Sequence, residues 1–342
     1  MLDSKFKERE YLKEYSLDIA LFKKFNLDVK DIIPVRKVFI VVTKDGEYIL
    51  KKIDYSVDKL LFINEGLQYV SENGFDRVLN YVRSENNRIY EEYKGDIYCV
   101  MKLVQGKESV YSNPIDVSID TRAIAQLHKA SRGFYGRFEE CDLRGKLPLK
   151  LEKELEEIIF IKNMVSRYGN RNEFDELFIN NVDNIIDKGR KTLNYLNNTN
   201  YYNLLQQEDK VAFCHHDLAY HNILINDNEA YFIDFDYAII DLKVHDLANF
   251  IIKVIKDFAY DIDKAEKIID EYGQYNSLDH KEIKVLYAIM AFPHKLFDLI
   301  KNYYYKEKNW EYATFLSRFK EKIQYIKEED EFLEKFKNKY LL

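Results

Sequence analysis

Residues 213–236, FCHHDLAYHNILINDNEAYFIDFD, concentrate charged and polar groups around two short apolar runs. Three of the chain's 7 histidines lie within residues 215–221, with aspartates between and beyond them. The runs ILI and YFI have the β-branched and aromatic composition of strands, and the polar NDNE between them is typical of a turn. The stretch therefore predicts a polar loop that leads into a β-hairpin.

The register of this hairpin predicts a metal site. A turn centred on Asn228 places Asn222 opposite Asp234 at the open end of the hairpin. Opposed side chains of an antiparallel pair have Cβ atoms about 4.5–5.5 Å apart, so two oxygen ligands can share one hard cation. Mg²⁺ is commonly bound by one or two protein oxygens, with phosphate oxygens and water completing its shell. Asn222 and Asp234 are therefore the predicted metal ligands, and a slip of one residue removes the basis for this pairing.

Asp217 lies five residues before Asn222, in the loop that leads into the same hairpin. A carboxylate at this place can accept a hydrogen bond from a hydroxyl group and direct its oxygen at a phosphorus atom. Phosphoryl transfer requires little more of a protein than positioning and charge neutralisation. Asp217 is therefore the predicted catalytic residue.

The histidines allow an alternative, a zinc site formed by His215, Asp217 and His221, because imidazole and carboxylate groups are zinc ligands. Zinc motifs on helices place two histidines four residues apart, and this spacing differs from that pattern.

Composition restricts the class of protein. The 342 residues are 46% hydrophobic and 15% aromatic, which is typical of a globular chain of about two domains. A net charge of −7 without a basic block argues against a nucleic-acid partner. The 3 cysteines are too few for a disulfide framework. No stretch approaches the roughly 18 apolar residues of a membrane helix, and we expect a soluble cytoplasmic protein without a membrane partner.

The order of helical and strand-like patterns predicts an α+β chain with two lobes. The run VFIVVTKDGEYILKKI contains Asp45-Gly46, a pair that favours a type I′ hairpin. Helices are predicted over 3–27, 57–72, 151–168 and 173–197, with an amphipathic stripe from Val244 to Phe258. Strands are predicted near 77–82, 88–93 and 97–104. The pattern predicts a small β-rich lobe over residues 1–105 and a larger helical lobe over 106–342.

HHDLAYHNIL resembles the catalytic loop of the aminoglycoside phosphotransferase and choline kinase superfamily, in which His-x-Asp is followed after four residues by Asn. The following IDFD resembles the superfamily's metal-binding motif, with Asp234 in the ligand position, and DLKVHDLANFI resembles the helix start that comes next. The resemblance implies a bilobal protein-kinase-like fold. It implies that Asp217 is catalytic, that Asn222 and Asp234 bind Mg²⁺, and that His215 and Asp246 support the loop.

The nucleotide side of this resemblance is less complete. In YILKK, Lys51 matches the lysine that pairs with the phosphates of ATP, and Glu65 on the following helix is its candidate partner, although the apolar stripe of that helix lies on its opposite face. PVRKVFIVVTKDG contains no glycine before Gly46, whereas a backbone that approaches phosphate closely usually contains glycine. Arg36 is a candidate to contact the phosphates in place of the backbone N–H groups of such a loop. His216 stands where the superfamily usually has glycine, which predicts a constrained or exposed conformation.

Further stretches resemble the CotS-type spore coat proteins, a kinase-like family of endospore-forming bacteria: LVQGKES, AQLHKAS, MAFPHKLFDLIKNYY and Asn309-Trp310. The resemblance extends over about residues 30–335. It implies a role in sporulation, a location in the cytoplasm of the mother cell or in the coat itself, and other coat proteins as partners.

Two classes of function are open at this point. The first is a transferase that uses ATP and Mg²⁺ to phosphorylate a hydroxyl group of a small molecule or glycan component. The second is a kinase-shaped structural or assembly protein of the spore coat, with little or no catalysis. The intact Asp217, Asn222 and Asp234 favour the first class, and the glycine-free segment favours the second.

Overall fold

The computed structural model describes residues 17–256 and 259–342, so most of the helix predicted over 3–27, and Phe258 of the amphipathic stripe, lie outside the described residues. The described chain forms two compact units. The first contains the residues up to Ser109 together with Gly136–Glu139 and Tyr220–Asp236, and the second contains Val110–Tyr135, Glu140–Ala219 and Tyr237–Leu342. Within the described ranges, no helix combines the length and hydrophobicity that a membrane span requires.

The secondary structure alternates between antiparallel strands and helices. The strands are β1 (Val29–Val35), β2 (Val38–Thr43), β3 (Glu47–Ile53), β4 (Tyr90–Tyr93), β5 (Asp96–Lys102), β6 (Lys107–Glu108), β7 (Val211–Cys214), β8 (Ile223–Asn226), β9 (Glu229–Phe232) and β10 (Ile239–Leu242). The α-helices are α1 (Ile19–Lys23), α2 (Val57–Glu72), α3 (Pro114–Ala130), α4 (Leu147–Val165), α5 (Glu173–Asn197), α6 (Tyr201–Leu204), α7 (Lys243–Ile255), α8 (Ile262–Tyr275), α9 (His280–Ala291), α10 (His294–Tyr304), α11 (Tyr312–Gln324) and α12 (Ile326–Lys339).

The first unit is built on a five-stranded antiparallel sheet in the order β1-β2-β3-β5-β4. Alternate residues of β2 are buried, as expected for a strand with one face in the core. The hairpin predicted around Asp45-Gly46 is confirmed, since β2 pairs with β3. Its predicted type I′ turn is wrong, because Gly46 has φ +142° and Asp45 does not have the positive φ that this turn requires. The Thr43 hydroxyl instead accepts a hydrogen bond from the Asp45 N–H at 3.1 Å.

Helix α2 covers residues 57–72, as the sequence predicts, and begins where the Ser56 hydroxyl accepts a hydrogen bond from the Lys59 N–H at 3.2 Å. The strand predicted near 77–82 is wrong: only an isolated bridge joins Tyr81 to Met101. A second, three-stranded sheet of this unit contains β6, β8 and β9.

The second unit is mainly helical and contains the two-stranded ladder of β7 and β10. Ile239 pairs with Cys214 and Leu242 with Val211, so α7 begins next to the first residue of β7. The apolar stripe of α7 is buried from Val244 to Ile255. The first turn of α7 reaches the loop after Cys214 through Asp246, which binds the backbone of His215 and His216.

Candidate active site

Asp246, in the first turn of α7, binds the backbone of the loop after β7. Its buried carboxylate accepts hydrogen bonds from the N–H groups of His215 and His216 at 2.6 and 2.7 Å, and lies 3.2 Å from Nε2 of His128. Burial alone would raise the pKa of Asp246, but the hydrogen bond from His128 and electrostatic interactions with His128, His215 and His216 lower it to about 2. The loop is therefore fixed by a buried anion.

The histidines of this loop shape its backbone. Nδ1 of His215 accepts a hydrogen bond from the Asp217 N–H at 3.2 Å. His216 has φ +65°, in the left-handed region that favours glycine, which agrees with the constrained conformation predicted for it. Its ring lies 4.8 Å from that of His245, and burial together with this neighbour lowers the pKa of His216 to about 3. A neutral imidazole in a strained backbone position is typical of a positioning role.

Asp217 follows directly, with 34% of its side chain exposed. Its Oδ1 lies 2.6 Å from Nζ of Lys253, which belongs to α7. Sequence reasoning missed Lys253, although a signal exists: it follows Asp246 by seven residues, which places both on one face of the helix. Helix α7 thus holds the loop backbone at its first turn and the Asp217 carboxylate two turns later.

In the first unit, Lys51 on β3 is bound by two carboxylates. Its Nζ lies 2.6 Å from Oδ1 of Asp234 and 2.6 Å from Oδ2 of Asp236. The Tyr55 hydroxyl donates to Asp236 at 3.0 Å. Burial disfavours the charged ammonium, yet Asp236 and Asp234 outweigh it and raise the pKa of Lys51. Asp236 was not among the predicted site residues, although the doubled aspartate of IDFD was a visible signal.

The predicted register of the hairpin is wrong by one residue. Ile223 pairs with Phe232 and Asn226 with Glu229, so the turn consists of Asp227 and Asn228. Both have positive φ, +49° and +61°, as a two-residue type I′ turn requires.

Asn222 and Asp234 are consequently not opposed across the ladder. Asn222 lies in a short 3₁₀ turn before β8, 2% exposed, and its carbonyl accepts a hydrogen bond from the Ile233 N–H at 3.0 Å. Asp234 follows the end of β9 with φ +63° and a side chain 44% exposed. The two residues therefore lie on adjoining segments at the open end of the hairpin, for a reason other than the predicted one.

Glu65 and Arg36 have other partners in the structure. Glu65 lies 3.8 Å from Nε of Arg137, whereas the ion pairs of Lys51 in residues 17–256 and 259–342 are those with Asp234 and Asp236. Arg36 belongs to the turn between β1 and β2 and pairs with Glu108 at 2.6 Å. The structure thus does not bring Glu65 to Lys51.

The donor set around Lys51 fits a hard cation such as Mg²⁺. Asp234 and Asp236 offer carboxylate oxygens, the ligands that this ion prefers. Burial and the neighbouring charge of Asp234 raise the pKa of Asp236 in spite of Lys51, so the negative charge of the pair exceeds what one ammonium neutralises. A divalent cation would relieve this repulsion.

The zinc alternative gains no support. In the part of the chain that the structure describes, one group of three His, Cys, Asp or Glu residues brings its ligand atoms within 4.8 Å of one another, and it consists of His128, Cys214 and Asp246. Burial keeps the pKa of the Cys214 thiol well above its usual range, and His128 and Asp246 bind each other. This group is therefore a brace of the loop.

The fold defines a class of protein. An aminoglycoside phosphotransferase from Alicyclobacillus acidocaldarius has a similar structure, with a TM-score of 0.80 and 17% identity over 95% of this chain and 97% of that chain. The amicoumacin kinase hAmiN, in complex with AMP-PNP, Ca²⁺ and Ami, has a TM-score of 0.63 and 15% identity over 94% of this chain and 96% of its own. The chain therefore has the α+β, kinase-like fold of these phosphotransferases.

Within that class, residues 19–336 match the family model described as "Spore coat putative kinase YutH", and the chain belongs to this family. Spore coat protein S of Bacillus subtilis (strain 168) is 22% identical to it over 342 residues, 97% of each chain. The resemblance to kinase-like spore coat proteins, based on short motifs, is confirmed over nearly the whole chain.

Proposed function

We propose that this spore coat family member is a kinase that uses ATP and Mg²⁺ to phosphorylate a hydroxyl group of a small molecule or glycan component. The observation that carries the proposal is the binding of Lys51 by Asp234 and Asp236 at the end of the β8–β9 hairpin. A lysine beside carboxylates supplies a cation for phosphate oxygens and anions for the accompanying metal. The complex of hAmiN with AMP-PNP and Ca²⁺ supports a nucleotide and a divalent cation as the ligands of this fold.

On the nucleotide side, Lys51 binds phosphate oxygens of ATP, while Asn222 and Asp234 hold the metal and Asp236 supports Lys51. A Mg²⁺ ion held by these residues would neutralise charge on the phosphates. Glu65 remains a further candidate for the nucleotide site, although it pairs with Arg137 and not with Lys51.

On the acceptor side, Asp217 accepts the hydrogen bond of the acceptor hydroxyl and orients its oxygen. Lys253 holds this carboxylate in place at 2.6 Å. His215 and Asp246 are positioning residues, because they act through the loop backbone that carries Asp217.

One observation favours the second candidate function, an assembly protein of the coat with little catalysis. The turn between β1 and β2 consists of Arg36 and Lys37, with Val35 paired to Val38, and contains no glycine. Arg36 has φ +50° there and pairs with Glu108. A two-residue turn with two long side chains offers fewer backbone N–H groups to phosphates than a glycine-rich loop does.

Isothermal titration calorimetry with ATP, with and without Mg²⁺, separates these functions. We expect wild-type protein to bind ATP in a Mg²⁺-dependent manner and Asp234→Ala to lose that dependence. Asp96→Ala is the matched control, because it removes an aspartate that pairs with Lys52 rather than with Lys51, at 2.8 Å. An absence of binding at millimolar ATP, or equal losses in both variants, would refute the kinase and favour the assembly protein.

A further inference from the structure

A cleft with a volume of about 960 Å³ lies entirely within the second unit. Helices α4, α5, α7 and α9–α12 form its walls, with aromatic side chains from Tyr287 and Phe292. Sites for small molecules occupy about 300–1,000 Å³ and combine apolar walls with a few polar groups. The cleft is therefore large enough for a ligand of the size of a mono- or disaccharide.

The cleft borders two residues that adjoin Asp217. His216 and Lys253 both line it, and Nζ of Lys253 lies 2.6 Å from the Asp217 carboxylate. Helix α7 lines the cleft with His245, Asn249 and Lys253, at spacings of four residues. A molecule in the cleft therefore lies beside the neighbours of Asp217, the residue proposed to receive the proton of the acceptor.

The walls of the cleft are rich in positive charge. Eight lysines line it, and several of them pair with carboxylates, such as Lys191 with Asp187 at 2.7 Å. Lys295, Lys322 and Lys337 differ from these: in residues 17–256 and 259–342, no carboxylate oxygen lies within 4.0 Å of their ammonium groups. Three cations of the cleft are therefore available for a ligand.

The environment of Lys295 indicates that positive charge accumulates there. Partial burial of its ammonium disfavours the charged form, and Lys322, Lys256 and Lys253 add like charge, so that its pKa is lowered to about 7 although Glu329 opposes the shift. The residue as a whole is exposed to solvent, so the like charge of the neighbouring lysines is the stronger reason to expect an anion here. Lys295 also belongs to the first turn of α10, whose N-terminus carries partial positive charge. A bound anion would relieve this repulsion.

We propose that the cleft binds the acceptor of the kinase and that this acceptor is an anionic polyol, whose phosphate or carboxylate group contacts Lys295 and Lys322. The proposal rests on the proposed function. In the reaction, the bond between the γ-phosphorus of ATP and its bridging oxygen breaks, and ADP leaves with the electron pair. A new bond forms between that phosphorus and the acceptor oxygen, whose proton passes to Asp217.

A set of ligands on one scaffold tests the charge preference: glucose 6-phosphate, gluconate, glucose and glucosamine, titrated into the full chain at low salt without nucleotide. We expect glucose 6-phosphate and gluconate to bind at least tenfold more tightly than glucose, because a hydrogen bond to a charged group contributes about 1.5–3 kcal/mol, or about tenfold and more in affinity. Glucosamine should bind more weakly than glucose. Equal binding of the four ligands, no binding of either anion, or preference for glucosamine overturns the proposal.

Substitutions of the cleft lysines test whether the anion binds at the proposed place. Lys295→Gln and Lys322→Gln should each weaken glucose 6-phosphate about tenfold or more. Lys320→Gln is the matched control, since Lys320 lies on the same helix as Lys322 and pairs with Glu173 outside the cleft. Thermal unfolding should show that Lys295→Gln is as stable as wild type or more so, because the change removes like-charge repulsion. An unchanged affinity in both cleft variants refutes the site.

The failure of this proposal can be distinguished from that of the proposed function. Asp234→Ala should bind glucose 6-phosphate as wild type does, because Asp234 belongs to the first unit. If the protein binds ATP with Mg²⁺ but does not bind the anions, the proposal of an anionic acceptor is wrong and the proposed kinase function stands. Anion binding without ATP binding overturns the kinase and, with it, the role of the cleft as an acceptor site.

Discussion

Replacement of Asp246 by asparagine is expected to lower the free energy of unfolding by about 3 kcal/mol at pH 7. The carboxylate accepts hydrogen bonds from the buried N–H of His215, from the partly buried N–H of His216 and from His128. Asparagine keeps one acceptor oxygen and turns an NH₂ group toward a donor, so one buried N–H loses its partner at a cost of about 1–3 kcal/mol. Loss of the negative charge removes the charge-assisted part of the other bonds, which adds about 1 kcal/mol or more.

The pH dependence of the effect has a definite sign. The pKa of Asp246 is lowered from 3.8 to about 2 in the folded protein, which corresponds to roughly 2 kcal/mol of stability at neutral pH. This contribution is fully present above the unfolded pKa and is lost as pH falls from about 4 through about 2. The difference in unfolding free energy between wild type and Asp246→Asn should therefore narrow over that range.

Urea unfolding followed by circular dichroism measures both quantities. The exposed Asp270 on α8 provides a control, since Asp270→Asn removes the same charge from the surface and should change the free energy by less than about 0.5 kcal/mol. If Asp246→Asn is no more destabilising than Asp270→Asn at pH 7, or if the difference grows on acidification, the loop is not held by this anion and the reasoning fails.

Three further predictions follow from single contacts. Lys51→Ala should weaken Mg²⁺-dependent ATP binding at least tenfold in calorimetry, whereas Lys52→Ala, on the next residue of β3, should change it less than twofold. His216→Gly should be more stable to urea than His216→Ala by about 1 kcal/mol, since φ is +65° there; equal stabilities would contradict the strained backbone. The affinity of the cleft for gluconate, whose charge is constant over this range, should fall as pH rises from about 6 to 8, because Lys295, with its pKa near 7, loses its charge; a gluconate affinity that rises over this range would be inconsistent.

The elements with local signals were predictable from the sequence. Helix α5 covers the predicted 173–197, and it begins at a capping box in which Asn172 and Asp175 bind each other's backbone. The hairpin of β8 and β9 was predicted as an element, but its register was not, because NDNE contains several residues that tolerate positive φ. The choice of Asp227 and Asn228 for the turn follows from the twist of the paired strands, which a linear pattern does not show.

The candidate site also contains residues that the sequence indicates and residues that it does not. Lys51, Asp217 and Asp234 could be named as candidates from short motifs, because each lies within a few residues of a strand or hairpin that the sequence predicts. The partners of these residues were missed: Asp236 beside Lys51 and Lys253 beside Asp217 are 185 and 36 residues away in sequence from the groups they bind. Ion pairs at such separations depend on tertiary structure, and composition does not predict them.

The charge of the cleft differs in sign from the net charge of the whole chain. The sequence argument against a nucleic-acid partner used the net charge of −7, which is a property of the chain as a whole. The cleft nevertheless gathers lysines from α4, α5, α7, α10, α11 and α12, which no single stretch of sequence reveals as basic. Six carboxylates also line the cleft, but in the part of the chain that the structure describes Lys295, Lys322 and Lys337 have no carboxylate oxygen within 4.0 Å. Salt screens charges in a cleft less than charges on the open surface, so these lysines give the cleft a local positive charge. The preference for an anionic acceptor is therefore a local property, and raising the salt concentration should weaken it less than it weakens contacts on the open surface.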